Sequence, residues 1–343
     1  MKNILIVKPS ALGDVIQATC VLPGLKRLSP DGRISWLVFS HNADIVADHP
    51  LIDGVVSVSR KTGAWRQLPG LAARLRAAGF DAVIDLQGLL RSALFGFMTG
   101  APRRIGFANG RERSTLFYTE SHDIPTRRMH AVDGYLRLIE ALGAPPAPPP
   151  AEVSFPLPLT ERHRERIREL TSDFVGEAPL VTICPTAKWV TKRWPEEHFA
   201  ALADLLAGRE KARIAFCGAP DDAEAIGRIM GKMRRPSLDL SGRLSLMELA
   251  ALLERSDLYV GNDSGPMHLA SATRTPTVAI FGPTDPKRTG PYNTRASVVA
   301  SPLDCAPCFR RKCPTNECLR RLAPEEVHAA CLERLKGGVR PCG

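Results

Sequence analysis

The most constraining feature of this chain is a rhythm that occurs twice. Short, continuous apolar runs alternate with stretches of helical periodicity, first in residues 3–86 and again in residues 180–281. In the first half, residues 3–7, 34–39, 55–58 and 82–86 read as strands, and residues 14–28 and 67–78 as helices. Strands that are apolar throughout, rather than alternating, are buried on both faces. Helices between them then cover a parallel sheet. Residues 144–150 follow, Ala-Pro-Pro-Ala-Pro-Pro-Pro, which can neither continue a helix nor join a central strand. The alternation restarts beyond this stiff segment. Strands are expected at 180–184, 213–217, 258–261 and 277–281, and helices at 195–207, 220–233, 245–254 and 265–273. A last amphipathic helix is expected near 324–335. The fold class predicted is α/β, with two Rossmann-like, doubly wound parallel-sheet domains facing a central cleft. The expected domains are 1–150, 151–323, and a C-terminal helix and tail at 324–343.

Open sheets of this kind bind ligands where strand ends run into loops, so chemistry is sought there first. Residues Lys8-Pro-Ser-Ala-Leu-Gly-Asp14 follow the first strand and open the first helix. Gly13 is suited to a tight turn. Asp14 is either a helix cap, accepting backbone N–H groups, or a carboxylate free to take a proton from a substrate hydroxyl. The loop lacks the glycine pair of a dinucleotide fingerprint. Residues Gly261-Asn-Asp-Ser-Gly-Pro-Met-His268 repeat the strand–loop–helix arrangement in the second half. Pro266 is tolerated in a first helical turn, and a small, polar helix start of this kind is an anion site suited to a diphosphate. His268 reads either as hydrogen-bonded structure or as a catalytic group. Residues 185–195 add two hydroxyls and the cations Lys188, Lys192 and Arg193, which are able to neutralise phosphate oxygens.

Taken together these segments resemble glycosyltransferase family 9, the ADP-heptose:lipopolysaccharide heptosyltransferases. The matching stretches are Ile4 to Asp14, Asp85-Leu-Gln-Gly-Leu-Leu-Arg91-Ser, Lys192-Arg-Trp-Pro, Gly261 to Ala270, and Pro276 to Thr284. They stand in order from residue 1 to about residue 335. The resemblance implies a GT-B fold, with the acceptor on the N-terminal domain and the ADP-sugar on the C-terminal one. It implies inversion at the anomeric carbon without a metal or other cofactor. Asp14 becomes the general base. Thr186, Lys192, Asp263, Ser264, Gly265, Met267 and His268 become donor-binding residues, and Ser10, Gly13, Gln87 and Arg91 acceptor-binding ones. The absence of an Asp-x-Asp pair in a plausible cleft loop is consistent with this. The implied partners are ADP-heptose, the lipopolysaccharide core and the inner face of the inner membrane. A GT-B-like sugar-nucleotide epimerase and a non-catalytic sugar-nucleotide-binding protein are the alternatives on such a scaffold.

Composition bears on partners and compartment. The formal charge is +10, with basic pairs at Arg103-Arg104 and Arg127-Arg128 and further arginines at 111 and 113. These favour an anionic membrane surface or phosphorylated substrates. No basic stripe interleaved with aromatics is present, so nucleic acid is not an expected partner. The N-terminal apolar run is stopped by Lys8 and Pro9, unlike a signal peptide, and nothing reaches the roughly 20 apolar residues of a membrane span. A cytoplasmic enzyme at the membrane surface is therefore expected. Nine cysteines are many for a reducing compartment. Cys20, Cys184 and Cys217 sit in apolar runs and read as core. Cys305, Cys308, Cys313 and Cys318 crowd one loop, with Cys331 and Cys342 beyond. Four thiolates on a loop can close a tetrahedral metal site, although the spacing is not a double Cys-x-x-Cys, so this is a weak candidate.

Overall fold

The computed structural model describes residues 1–59, 68–174 and 176–336. The chain divides into two compact units, Met1–Pro158 and Leu159–Gly343. Cys342 and the end of the expected tail lie outside the described residues.

In the first unit, strands β1 (Asn3–Val7), β2 (Arg33–Phe39), β3 (Gly54–Val58), β4 (Ala82–Asp85), β5 (Arg103–Phe107) and β6 (Glu120–His122) form one sheet. Its order is β3-β2-β1-β4-β5-β6, and every pair is parallel. The second unit contains β7 (Leu180–Cys184), β8 (Arg213–Phe216), β9 (Leu238–Asp239), β10 (Leu258–Asn262), β11 (Thr277–Phe281) and β12 (Ala296–Ala300). Their order is β12-β11-β10-β7-β8-β9, again all parallel. Counted from its own first strand, each sheet has the order 3-2-1-4-5-6. These are two Rossmann-like units of the GT-B type.

Burial explains which runs became strands. Ile4 to Val7 of β1, all of β7 and all of β11 are buried, as a central strand covered on both faces requires. Helices supply the cover. Leu202, Ala203 and Leu206 of the helix Glu196–Arg209 pack with Val181 and Ile183 of β7 and Ile214 and Phe216 of β8 in one core. In the first unit Leu71 and Leu75 of the helix Leu68–Ala77 join Leu5, Val7, Leu37 and Val83. Cys20, Cys184 and Cys217 are buried in these interiors, as expected of small apolar residues.

Two local expectations need correction. Residues 14–28 are not one helix but two, Leu12–Ala18 and Val21–Leu28, parted at Thr19 and Cys20. Gly13 is the second residue of the first of these and is buried, so it makes no turn; the turn is taken by Pro9 to Ala11.

The polyproline stretch has no regular element and runs within the first unit, whose last residues are anchored by burial of Val153 and Phe155. His49 adds a polar clasp. Its Nδ1 accepts the Leu51 N–H at 3.0 Å, so Nε2 carries the proton and donates to the Pro156 carbonyl at 3.1 Å. This arrangement admits only the neutral ring, and burial pushes the His49 pKa down, against the smaller opposing pull of the Pro156 carbonyl. A lowered folded pKa means that the unfolded chain takes up the proton first. The stability contributed is present above the unfolded pKa of about 6.5 and is lost as pH falls below it. Thermal unfolding followed from pH 7.5 to 5 is expected to show this loss in wild type. His49→Gln, which preserves one donor and one acceptor, is expected to show a flatter profile. Equal slopes would remove His49 from the account.

Candidate active site

In a sheet of this order the chain leaves strand 1 in one direction and strand 4 in the other. The loops after those two strands therefore part and leave a crevice. In the first unit these are the loops after β1 and β4; in the second, those after β7 and β10. Strand register sets the loops side by side, with Val7 opposite Asp85 and Cys184 opposite Gly261. Four of the stretches singled out in the sequence lie at these positions.

In the first unit Asp14 is the third residue of its helix, half-buried, with Oδ2 accepting the Ala11 N–H at 3.0 Å. The capping reading is thus realised, through the backbone N–H preceding the helix. One carboxylate oxygen is engaged in this way, and the group still reaches solvent. Ser10 is half-buried beside it.

The partner loop is held by Asp85. Its Oδ1 accepts the Gln87 and Gly88 N–H groups at 2.8 and 3.1 Å, and its Oδ2 accepts the Ser92 and Tyr118 hydroxyls at 2.8 and 2.7 Å. Burial raises the Asp85 pKa, opposed by these four hydrogen bonds. Gly88 turns the chain at φ +67°, a left-handed conformation that favours glycine. Gln87 Oε1 is buried and has no hydrogen-bond partner among the described residues. Arg91 is exposed in the first turn of the next helix.

Between these loops lies a residue of the Lys8–Asp14 stretch that was given no role from sequence. Lys8 is 3% exposed, and its Nζ donates to the Leu86 carbonyl at 3.1 Å and stands 5.0 Å from the Tyr135 ring centroid. Burial lowers its pKa, while the carboxylates of Asp14 and Asp85 pull the other way. Lys8 thus lies within electrostatic range of both carboxylates of the first unit's crevice.

In the second unit the two loops are tied together by Asn262. Its side chain accepts the Trp194 N–H at 3.1 Å and donates to the Pro185 carbonyl at 2.7 Å. Asn262 is fully buried, so this strap fixes both ends of the 185–194 loop to the end of β10. Lys192 Nζ is then 2.5 Å from Asp263 Oδ2, and its ammonium lies 4.7 Å from the Trp189 ring centroid. The same Asp263 oxygen accepts the Thr284 hydroxyl at 2.6 Å. Lys192 and Asp263 are mostly buried, with side chains 18% and 6% exposed.

Directly beyond, Ser264 caps the helix Gly265–Ala272, with Pro266 in its first turn. The first backbone N–H groups of such a helix have no partner within it. The buried Tyr259 hydroxyl lies beneath, against Gly261 and the Ser264 side chain; a Cβ on Gly261 would come within 2.3 Å of it. Thr186 is half-buried and Lys188 exposed on the neighbouring loop.

The structure thus brings Lys192, Asp263, Ser264 and Gly265 into one cluster. Met267 and His268 belong to the same helix but are 0% and 7% exposed, so their side chains pack inward. Asn262 and Thr284 complete the cluster and were not assigned from sequence. Both stand inside recognised stretches, yet nothing in their spacing signals a strap or an orienting hydroxyl.

The cysteines of the 305–318 loop divide between core and surface. Among the described residues no group of three or more His, Cys, Asp or Glu side chains is arranged to hold a metal. Cys305 and Cys313 are exposed. Cys318 is buried and, with Leu319, packs into the second unit's core, as does Cys331. The loop contacts the 185–194 loop, its Arg310 carbonyl accepting the Thr191 hydroxyl at 2.9 Å and its Arg311 guanidinium lying 4.7 Å from the Trp189 ring centroid.

Residues 70–319 match the family model described as glycosyltransferase family 9 (heptosyltransferase). The chain is 30% identical to lipopolysaccharide heptosyltransferase 1 of Pseudomonas aeruginosa, over 97% of this chain and 94% of that one. It is 29% identical to lipopolysaccharide heptosyltransferase 1 of Escherichia coli K12, over 88% and 94%. Among solved structures it is similar to a glycosyl transferase family 9 protein from Veillonella parvula, with a TM-score of 0.85 and 26% identity over 98% of each chain. It is also similar to the E. coli heptosyltransferase WaaC with ADP, with a TM-score of 0.75 and 25% identity over 97% and 99%.

Proposed function

The chain belongs to glycosyltransferase family 9, the heptosyltransferases, and from that premise we propose that it moves heptose from ADP-L-glycero-β-D-manno-heptose to a hydroxyl of the lipopolysaccharide inner core, with inversion and without a metal. The acceptor is a lipid A-linked Kdo or heptose residue. The observation that carries this reading is the cluster of Lys192, Asp263 and Thr284 at the start of the helix Gly265–Ala272. A cation and the unpaired N–H groups of a helix start suit a diphosphate. Relatives named for lipopolysaccharide heptosyl transfer, and a similar structure named with ADP, support the same substrate pair.

The chemistry follows from charge. As the anomeric carbon–oxygen bond breaks, negative charge gathers on the departing diphosphate, where Lys192, Thr186 and the helix N-terminus neutralise it. Asp14 takes the proton of the attacking acceptor hydroxyl, and Ser10, Gln87 and Arg91 hold the acceptor sugar. The first unit thus serves the acceptor and the second the donor. Among the described residues no helix is long and apolar enough to cross a membrane. With a lipid-anchored acceptor and a net charge of +10, the enzyme works in the cytoplasm against the inner face of the inner membrane.

The test is transfer from ADP-heptose to heptose-deficient lipopolysaccharide with EDTA present, with product analysis of the donor incubated alone. Acceptor-dependent transfer that survives chelation is expected. Donor converted without acceptor would replace this reading with an epimerase. Donor bound but never transferred would leave a sugar-nucleotide-binding protein.

A further inference from the structure

Large apolar side chains stand exposed at Leu68, Leu90, Phe97, Leu116, Val190, Val298 and Phe309. Three of them, Leu90, Phe97 and Leu116, lie on two elements of the first unit that pack against each other, the helix Leu90–Met98 and the 3-10 turn Ser114–Phe117. Phe97 is 51% exposed and Leu116 76%, which is far from the single scattered leucine a surface tolerates without reason.

The patch is built rather than loose. The Phe97 and Phe117 rings meet edge to face with centroids 5.6 Å apart. The Arg104 guanidinium lies 5.6 Å from the Phe97 centroid and is fixed there by donating to the Phe117 and Ala101 carbonyls at 2.8 and 2.7 Å. Arg91 and Arg113, both exposed, lie on or beside the same two elements. From Leu90 to Glu120 the chain carries five arginines against two glutamates.

We infer that this face, with Phe97 and Leu116 at its centre and Arg91, Arg104 and Arg113 around it, docks the first unit on an anionic lipid bilayer. Apolar side chains that enter the headgroup–acyl boundary, ringed by cations that meet lipid phosphates, are what peripheral bilayer binding requires. A protein partner would be matched by shape and paired charges, whereas an excess of one sign around an apolar centre fits a uniformly anionic surface. The helix Leu90–Met98 begins three residues beyond Gln87, so docking here sets the acceptor-side loop at the membrane. The inference rests on the reading that the acceptor is lipid-anchored, and it adds the surface by which the enzyme reaches it.

The test is co-sedimentation of the full chain with vesicles of phosphatidylcholine alone or with phosphatidylglycerol added, comparing wild type, Phe97→Ser/Leu116→Ser and Arg113→Glu. Wild type is expected to pellet with the anionic vesicles only, less so at high salt. The double variant should bind about ten-fold more weakly, with circular dichroism and ADP binding unchanged. Arg113→Glu should weaken binding and its salt dependence together. Undiminished vesicle binding by the double variant would overturn the inference. So would self-association of wild type, measured by analytical ultracentrifugation and abolished in the double variant, because a second copy would then be what covers the patch. Transfer to a delipidated, soluble acceptor is read in parallel. Its failure in wild type with vesicle binding intact would count against the transferase reading and leave the docking surface standing.

Discussion

Asp14→Asn is expected to lower the turnover of heptosyl transfer by about a thousand-fold, while the affinity for ADP and the melting temperature stay close to wild type. Asparagine is the informative substitution because Asp14 has two roles in the structure. Its Oδ2 accepts the Ala11 N–H at 3.0 Å. An asparagine carbonyl can still accept that bond, so the helix start survives, but the amide cannot take a proton from an attacking hydroxyl. Asp14→Ala removes both roles and should add about 1 kcal/mol of destabilisation on top of the catalytic loss. Lys192, Asp263 and Thr284, proposed to meet the donor, belong to the second unit's own network, so ADP binding is an internal control for folding. The measurement is kcat and KM for both variants beside calorimetric ADP binding and a thermal melt. If Asp14→Asn turns over at near the wild-type rate, the carboxylate is only a cap and the base must be sought elsewhere. Gln87 cannot act as that base, and Asp85 already holds four hydrogen bonds.

The division between what the sequence made legible and what it hid follows burial for the strands but not for every helix, since Leu90–Met98 and Ala131–Ala141 bury four and six residues and were not predicted. Strands β1, β2, β4, β7, β8, β10 and β11 are mostly buried and largely apolar because helices cover both faces, and such runs announce themselves; the partly exposed β3 shows through its three valines. Of the missed strands β5, β6, β9 and β12, three lie at a sheet edge and β5 lies next to one. β5 opens with Arg103 and Arg104, β6 reads Glu-Ser-His, β9 is two residues long, and β12 is partly exposed along its whole length. The helix Glu161–Leu170 escaped for the converse reason: of its ten residues only Ile167 is buried, so no apolar stripe marks it. The site shows the same pattern. Asp14 and Lys192 were singled out as charged residues where a strand meets a helix, and Asp263 through the resemblance. Asn262, Thr284 and Lys8 were not, because each acts through a partner distant in sequence. Asn262 reaches back to Pro185 and Trp194, Thr284 to Asp263, and Lys8 forward to Leu86. The cysteine loop shows how little close spacing in sequence says about convergence in space, since Cys318 turns into the core while Cys305 and Cys313 stay in solvent.

Lys192→Met should cost both stability and donor binding, and a second substitution separates the two. The ammonium and the Asp263 carboxylate meet at 2.5 Å where their side chains are 18% and 6% exposed. Removing the cation leaves Asp263 with the Thr284 hydroxyl as its remaining side-chain donor. A buried charge stripped of its partner costs about 3–5 kcal/mol, which for a unit of this size lowers the melting temperature by roughly 10 °C. Asp263→Asn is expected to cost less, because the lysine it abandons is the more exposed member and can turn its ammonium to water. In Lys192→Met/Asp263→Asn no charge is left unpaired, so most of the lost stability should return. Donor binding and turnover should not, because the groove then lacks the cation that meets the diphosphate and the carboxylate beside it. Melting curves with and without saturating ADP, and transfer rates, measured for both single variants and the double, complete the cycle. A double variant that regains stability and also transfers heptose at the wild-type rate would make the pair purely structural and leave the helix N-terminus alone to carry the diphosphate. Recovered stability with transfer still abolished would assign Lys192 and Asp263 to the donor, because the folding role would then have been restored without them.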